Sequence, residues 1–340
     1  MPRFARIARL SRNRWLHLLV GALASVVLVW FAAHALVWSD VASAFDALST
    51  GPVALSLVFV AAAMVLRAGR WHVVMPGARA RFHQTFLTQN AGIGLNNVLP
   101  IRMMSEPVQL ALITRRYGVP FSTALAGLVA GNALDVFATG LLMGTGVVLV
   151  PGMRDARVSI PVIGSLVMLG LSALVLVALS RGVAAVPYAR KMRSFVRLTT
   201  AVKMLRERPR LLGASFAATL TFWLFMGSAG WVIARSLGAP GSPVTFAVVM
   251  AASTFFVSAI PSLPGGVGTF HFAAMSMLQA LGVDPAHALT LAVVFHLQAV
   301  LPPTLIAAGV FARMGVRLPK TERERIPRPP LGMGEQDGRV

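Results

Sequence analysis

Residues 244–281 read VTFAVVMAASTFFVSAIPSLPGGVGTFHFAAMSMLQAL. The stretch is apolar at both ends, yet Pro261, Pro264, Gly265, Gly266 and Gly268 interrupt its middle. Proline removes a backbone donor and glycine favours turns, so one straight helix is excluded. Broken backbone at membrane depth is tolerated only where protein or a water-filled cavity satisfies its polar groups. The stretch therefore predicts a helical hairpin that enters a membrane and turns back. Residues 82–116 have the same design, interrupted by Asn96, Asn97, Pro100 and Arg102, and predict a second hairpin.

Outward from these hairpins, uninterrupted apolar spans fall at 16–38, 52–75, 121–150, 159–180, 211–235 and 287–312. Each has about the 20 residues needed to cross a bilayer. The whole chain of 340 residues is 56% hydrophobic and 12% charged, with a mean hydropathy of +0.73. Soluble domains carry about 25% charged residues, so a soluble globule is excluded. The expected fold is an all-α integral membrane protein, with about six full spans and two re-entrant helical hairpins. The first span is longer than a signal segment and lacks a small-residue cleavage site, so it is expected to be retained.

The hairpins also belong to an internal repeat. Sliding the chain by 164 residues places Leu99-Pro100 on Leu263-Pro264, Gly118-Val119 on Gly282-Val283 and Ala124-Leu125 on Ala288-Leu289. Repeat halves are expected at about 52–150 and 211–312, a size that suits internal transporter repeats.

Charge supplies the orientation. The formal net charge is +20, which on a soluble protein would point to nucleic acid. Here the bases gather between spans. Arg3, Arg6, Arg9, Arg12 and Arg14 crowd the arm 1–15; Arg79, Arg81, Arg115 and Arg116 flank the first hairpin. The segment 181–210 and the tail 313–340 hold most of the rest. Lys and Arg accumulate on the cytoplasmic side, so both termini, the first hairpin's mouth and 181–210 are expected inside. The second hairpin then dips in from the outside, which makes the repeat inverted. Segment 181–210 reads as a basic amphipathic helix on anionic inner-leaflet lipids, or as a solvated linker. The Pro- and Gly-containing tail reads as disordered. The implied location is a bacterial-type cytoplasmic membrane, with no nucleic-acid partner.

Few charges lie within the spans, and each is a site candidate because it is costly there. Arg67 and Arg70 share a helix face; Arg70 can bind phosphate or snorkel to the interface. Arg102 and Glu106 can pair with each other, or Arg102 can receive an anionic headgroup at a helix N-terminus. Asp135, with Asn132 one turn before it, needs a partner among Arg67, Arg70 and Arg102. Asn96, Asn97 and Gln109 add amides near the first break, Gly265 and Gly266 an accessible turn, and His271 and His296 protonatable rings. These histidines lack a third ligand, so no metal is expected. There is no cysteine, no phosphate loop, no dinucleotide turn and no defensible nucleophile triad. No enzymatic activity and no cofactor are expected.

The stretches Asn96–Glu106 and Ile260–Thr269 resemble two elements of the lysylphosphatidylglycerol synthase transmembrane (flippase-like) family. They are its "N-x-x-x-P-x-R-x-G-E" and "P-x-x-P-G-G-x-G" elements. Arg67, Arg70 and Trp71 resemble its "R-x-x-R-W" feature and Asp135 its span-3 acid. The chain departs from the pattern at Ser105, Gln109, His271 and His296. The resemblance covers about residues 15 to 312, without the soluble aminoacyltransferase domain that some members carry. It implies translocation of a glyco- or aminoacyl-phospholipid, or of a polyprenyl-type lipid, between leaflets. Two alternatives stand beside it. One is a membrane scaffold for a lipid-modifying enzyme or glycosyltransferase; the other is a small-solute transporter.

Overall fold

The computed structural model describes residues 21–32, 36–75, 80–99, 105–149, 208–259 and 262–314, with Leu19, His34 and Gly170. The arm 1–15, most of 150–207 and the tail from 315 fall outside it. The span expected at 159–180 and the basic segment 181–210 therefore lie outside the described residues almost entirely.

Every regular element among the described residues is helical. In chain order they are α1 (21–32), α2 (Trp38–Asp46), α3 (Thr50–Val73), α4 (Phe82–Val98), α5 (Ser105–Arg115) and α6 (Phe121–Leu149). After the gap come α7 (Pro209–Ser236), α8 (Pro243–Ala259), α9 (Thr269–Ala280) and α10 (Pro285–Arg313). Helices α3, α6, α7 and α10 are long and apolar enough to cross a membrane; α1 and α8 are shorter apolar helices. Both expected breaks are present: α4 is separated from α5, and α8 from α9.

Helix boundaries follow from local chemistry. Asp284 caps α10, its carboxylate accepting from the amides of Ala286 (3.0 Å) and His287 (3.3 Å), and Pro285 occupies the first helical position. Helices α7 and α9 end on glycines in the left-handed region, Gly238 (φ 70°) and Gly282 (φ 84°). The amides of the following Ala239 and Val283 reach back to the carbonyls of Ala234 and Leu278, the Schellman closure that only glycine makes without strain.

The 164-residue offset found in the sequence carries α3–α6 onto α7–α10 in the same order. Phe121–Leu149 maps onto Pro285–Arg313, and Ser105 onto the start of α9 at Thr269. Helix contacts follow the same correspondence: α4 packs on α10 and α8 on α6, while α3 packs on its own counterpart α7. Helices α3 and α7 run antiparallel. Ser56 near the start of α3 donates to the Ala229 carbonyl late in α7 (2.9 Å), and Arg70 near the end of α3 donates to Thr219 earlier in α7 (3.4 Å).

The core lies along α3, α7, α8 and α10, where Phe246 and Phe295 meet edge to face at 6.1 Å. Lipid offers no hydrophobic drive between helices, so close contact depends on small residues. Gly227 is one such residue: a Cβ there would overlap the Pro243 carbonyl and Ala247.

Candidate functional site

Between the two sets of four helices lies a cavity of about 500 Å³. Arg67 of α3, Asn96 and Asn97 of α4, Glu106 of α5, Asp135 of α6 and His296 of α10 all line it. Charged and amide side chains from five otherwise apolar helices meet there, which makes it the candidate site.

Two turns bring the walls together. The Pro264–Gly266 turn has Gly265 at φ 69° and Gly266 at φ 81°, and Gly268 follows at φ 83°. Side chains at such φ values are strained, which explains why the sequence places glycines there. Helix α1 covers the turn: the Leu263 amide donates to Ser25 Oγ (2.9 Å), and a Cβ on Gly268 would press on the Ser25 carbonyl. From the other side, His296 Nε2 donates to the Gly265 carbonyl at 2.8 Å. Broken backbone is thus satisfied by protein, as membrane depth requires. At the end of α4, the Asn97 amide donates to the Val300 carbonyl (3.3 Å) and to Thr304 (3.2 Å). Its own carbonyl lies against Gly265, so the end of α4 meets the turn of the other half.

The charges divide into a pair and two single groups. Arg70 grips Asp135 with both ends of its guanidinium, at 2.9 and 3.0 Å. The Nη2–Oδ2 contact is a charge-assisted hydrogen bond, and Nη1 faces Oδ1 as an ion contact. Arg70 is 5% exposed, so it does not snorkel; it is the partner that Asp135 required. Arg67 lies one turn earlier on α3, its guanidinium 5.4 Å from the Phe222 ring centre and its Nε buried without an acceptor. Glu106 has no partner among the described residues and borders the cavity. Among the described residues, the cavity is therefore bordered by one cation and one anion besides the Arg70–Asp135 pair.

The other expected residues take different places. Asn132 borders a second, adjoining cavity of about 320 Å³ between α6 and α8. Gln109 is buried, donating to Ser105 Oγ (2.8 Å) and packed against Gly92, so it holds α5 on α4 and does not reach the cavity. Gly266 supports the turn. His271 stands behind His296, ring centres 4.7 Å apart and nearly perpendicular, and its Nδ1 accepts from the Gly268 amide (3.3 Å). Arg102, and with it the Arg102–Glu106 pair, lies outside the described residues. No group of three His, Cys, Asp or Glu that could hold a metal ion comes together among the described residues.

Sequence reading missed Trp223, Thr254 and Ser258, which border both cavities. Trp223 lies in an apolar helix with no charge or break beside it. Thr254 and Ser258 lie on the first arm of the second hairpin, Ser258 three residues before Pro261, where weakly polar hydroxyls drew no notice beside the glycines and prolines.

Fold and site together define a polytopic helical membrane protein with a charged chamber enclosed by its helices. The chain belongs to the family described as the lysylphosphatidylglycerol synthase TM region, whose model matches residues 16–307. No curated protein matches it.

Proposed function

We propose that the protein moves a phospholipid between leaflets, its headgroup passing through the chamber while its chains extend toward the bilayer. The observation that supports this reading is the chamber itself, bordered inside apolar helices by a guanidinium and a carboxylate that have no ion-pair partner among the described residues. Such groups are retained at that cost where they meet a polar ligand. Arg67 takes the lipid phosphate, and Glu106 takes a cationic group on the headgroup. The Arg70–Asp135 pair holds α3 to α6 and sets the wall, so it contributes position and not a free charge. No bond of the lipid is made or broken. Membership of a lipid-synthase membrane family favours a lipid over a soluble solute.

The halves are read as an inverted repeat. Their ranges match at one offset, and the antiparallel course of α3 and α7 is what inversion demands. Alternating access through rocking of one half against the other then follows the usual logic of such repeats. Loop charge favours both termini and the α5–α6 loop on the cytoplasmic side, and the reading puts the protein in a bacterial-type inner membrane with anionic lipids as partners of segment 181–210.

The test is movement of a fluorescent phospholipid in vesicles holding the purified protein. Arg67→Gln and Glu106→Gln are expected to slow it by about tenfold or more, the effect of losing about 1.4 kcal/mol at the barrier. Unchanged movement in both variants overturns the site, and no movement by the wild type overturns the function.

A further inference from the structure

The two matched helix seams differ. In α4–α10 the backbones touch: a Cβ on Gly94 would overlap the Pro303 carbonyl and the Ala307 side chain. Asn97 stitches the same seam through Val300 and Thr304. In α6–α8 the helices are in contact, yet the 320 Å³ cavity lies between them, bordered by Thr139, Gly140, Ala251 and Phe255. This slot shares Glu106, Asp135, Trp223, Thr254 and Ser258 with the charged chamber. Trp223 Nε1 is buried there with no acceptor. A polar chamber that adjoins, across Glu106, Asp135, Trp223, Thr254 and Ser258, a slot whose far side is Val136, Gly140, Ala251 and Phe255 fits an amphiphile. It does not suit a solute that is polar all round.

We propose that the α6–α8 seam is the lateral passage that holds the hydrocarbon chain of a membrane lipid while its headgroup occupies the chamber, and that the α4–α10 seam is the same passage in its closed form. The inference rests on the lipid reading above. Hydrocarbon needs no hydrogen bonds, so the face formed by Val136, Gly140, Ala251 and Phe255 is enough for it, while Asn132, Glu106 and Asp135 lie toward the headgroup. The indole N–H of Trp223, at the wall between slot and chamber, donates to an oxygen where headgroup and chain join. In an inverted repeat the two halves exchange conformations, so the open and closed seams exchange too. The closed seam is suited to opening. Pro302 and Pro303 leave α10 without two of its own ladder donors beside Asn97, which lets the helix bend at the seam.

The chain has no cysteine, so Asn97→Cys with Thr304→Cys forms the only thiol pair. The full chain is placed in vesicles of phosphatidylethanolamine and phosphatidylglycerol with a trace of fluorescent phospholipid. Movement is followed by quenching from the outside. Joining the two thiols with a short cleavable reagent is expected to stop movement, and cleavage to restore it. Ala251→Phe, which fills the open seam, is expected to slow movement by about tenfold or more and to reduce the phospholipid retained through purification. Thr139→Phe on the facing helix is the second variant if the first does not fold. Gly309→Phe points into open space and should change neither readout. If the linked protein and the filled seam both move lipid at the wild-type rate, the passage is overturned and the lipid reading stands. If the wild type moves no lipid, both fall.

Discussion

Asp135 and Arg70 are worth more to the fold as a pair than either is alone. A buried pair broken on one side leaves an uncompensated charge, a loss of about 3–5 kcal/mol. Asp135→Ala is therefore expected to lower the thermal midpoint of the detergent-purified protein sharply. Removing both charges, as Arg70→Met with Asp135→Leu, should recover most of that loss, because similar apolar volume replaces the pair. Arg67 is expected to behave in the opposite way. Its Nε is already buried without an acceptor, so Arg67→Met should hold or raise the thermal midpoint while lipid movement falls. A midpoint that drops as far for Arg67→Met as for Asp135→Ala would show that Arg67 is structural. Sequence spacing placed both arginines on one face of α3 and left three candidates for Asp135. Which arginine reached it depended on the approach of α6, which no local pattern encodes.

At the scale of helices, glycine has two meanings that the sequence cannot separate. Gly94 and Gly227 each face a carbonyl of a neighbouring helix at contact distance, whereas Gly144 and Gly213 face open space. Gly227→Ala is expected to destabilise by about 1–3 kcal/mol through overpacking of α7 on α8. Gly213→Ala should be neutral or stabilise by up to about 1 kcal/mol, since alanine is the better helix former. Thermal unfolding of the two variants side by side decides this, and equal midpoints would remove the close-packing account. The hairpin breaks, by contrast, were legible residue by residue. Two prolines and three glycines within eight residues at 261–268 stop a helix, whereas Pro302 and Pro303 alone leave α10 continuous, and the boundaries of α4, α8 and α9 lie close to those read from the chain. Gln109 shows the limit. A buried amide on a predicted hairpin arm reads as a ligand, but the neighbouring Gly92 leaves space for it to act as a packing strut.

For the whole molecule, inversion is the decisive claim, and it has a direct measurement. Tyr117 in the α5–α6 loop and Leu281 in the α9–α10 loop are equivalent at the 164-residue offset. Tyr117→Cys and Leu281→Cys, each the sole thiol in its chain, are expected to react with an impermeant maleimide from opposite sides of the membrane. Labelling from the same side would leave two parallel repeats and remove the basis for exchanging seams. The net charge of +20 is expected to follow the same map, drawn to the cytoplasmic loops and away from the spans.

The sequence by itself determined the class of structure: apolar spans of bilayer length and two breaks that forbid straight helices. These are local properties, set by hydropathy and by backbone chemistry within a few residues. Only the tertiary structure decided that Arg70 and not Arg67 pairs with Asp135, and that Glu106 and Arg67 border one chamber. It alone showed that one of two equivalent seams contains a cavity while the other is tightly packed. Those outcomes depend on which helix faces meet across more than a hundred residues of chain. Close packing of small side chains sets that meeting, and hydropathy, which sees only how apolar a face is, does not report it.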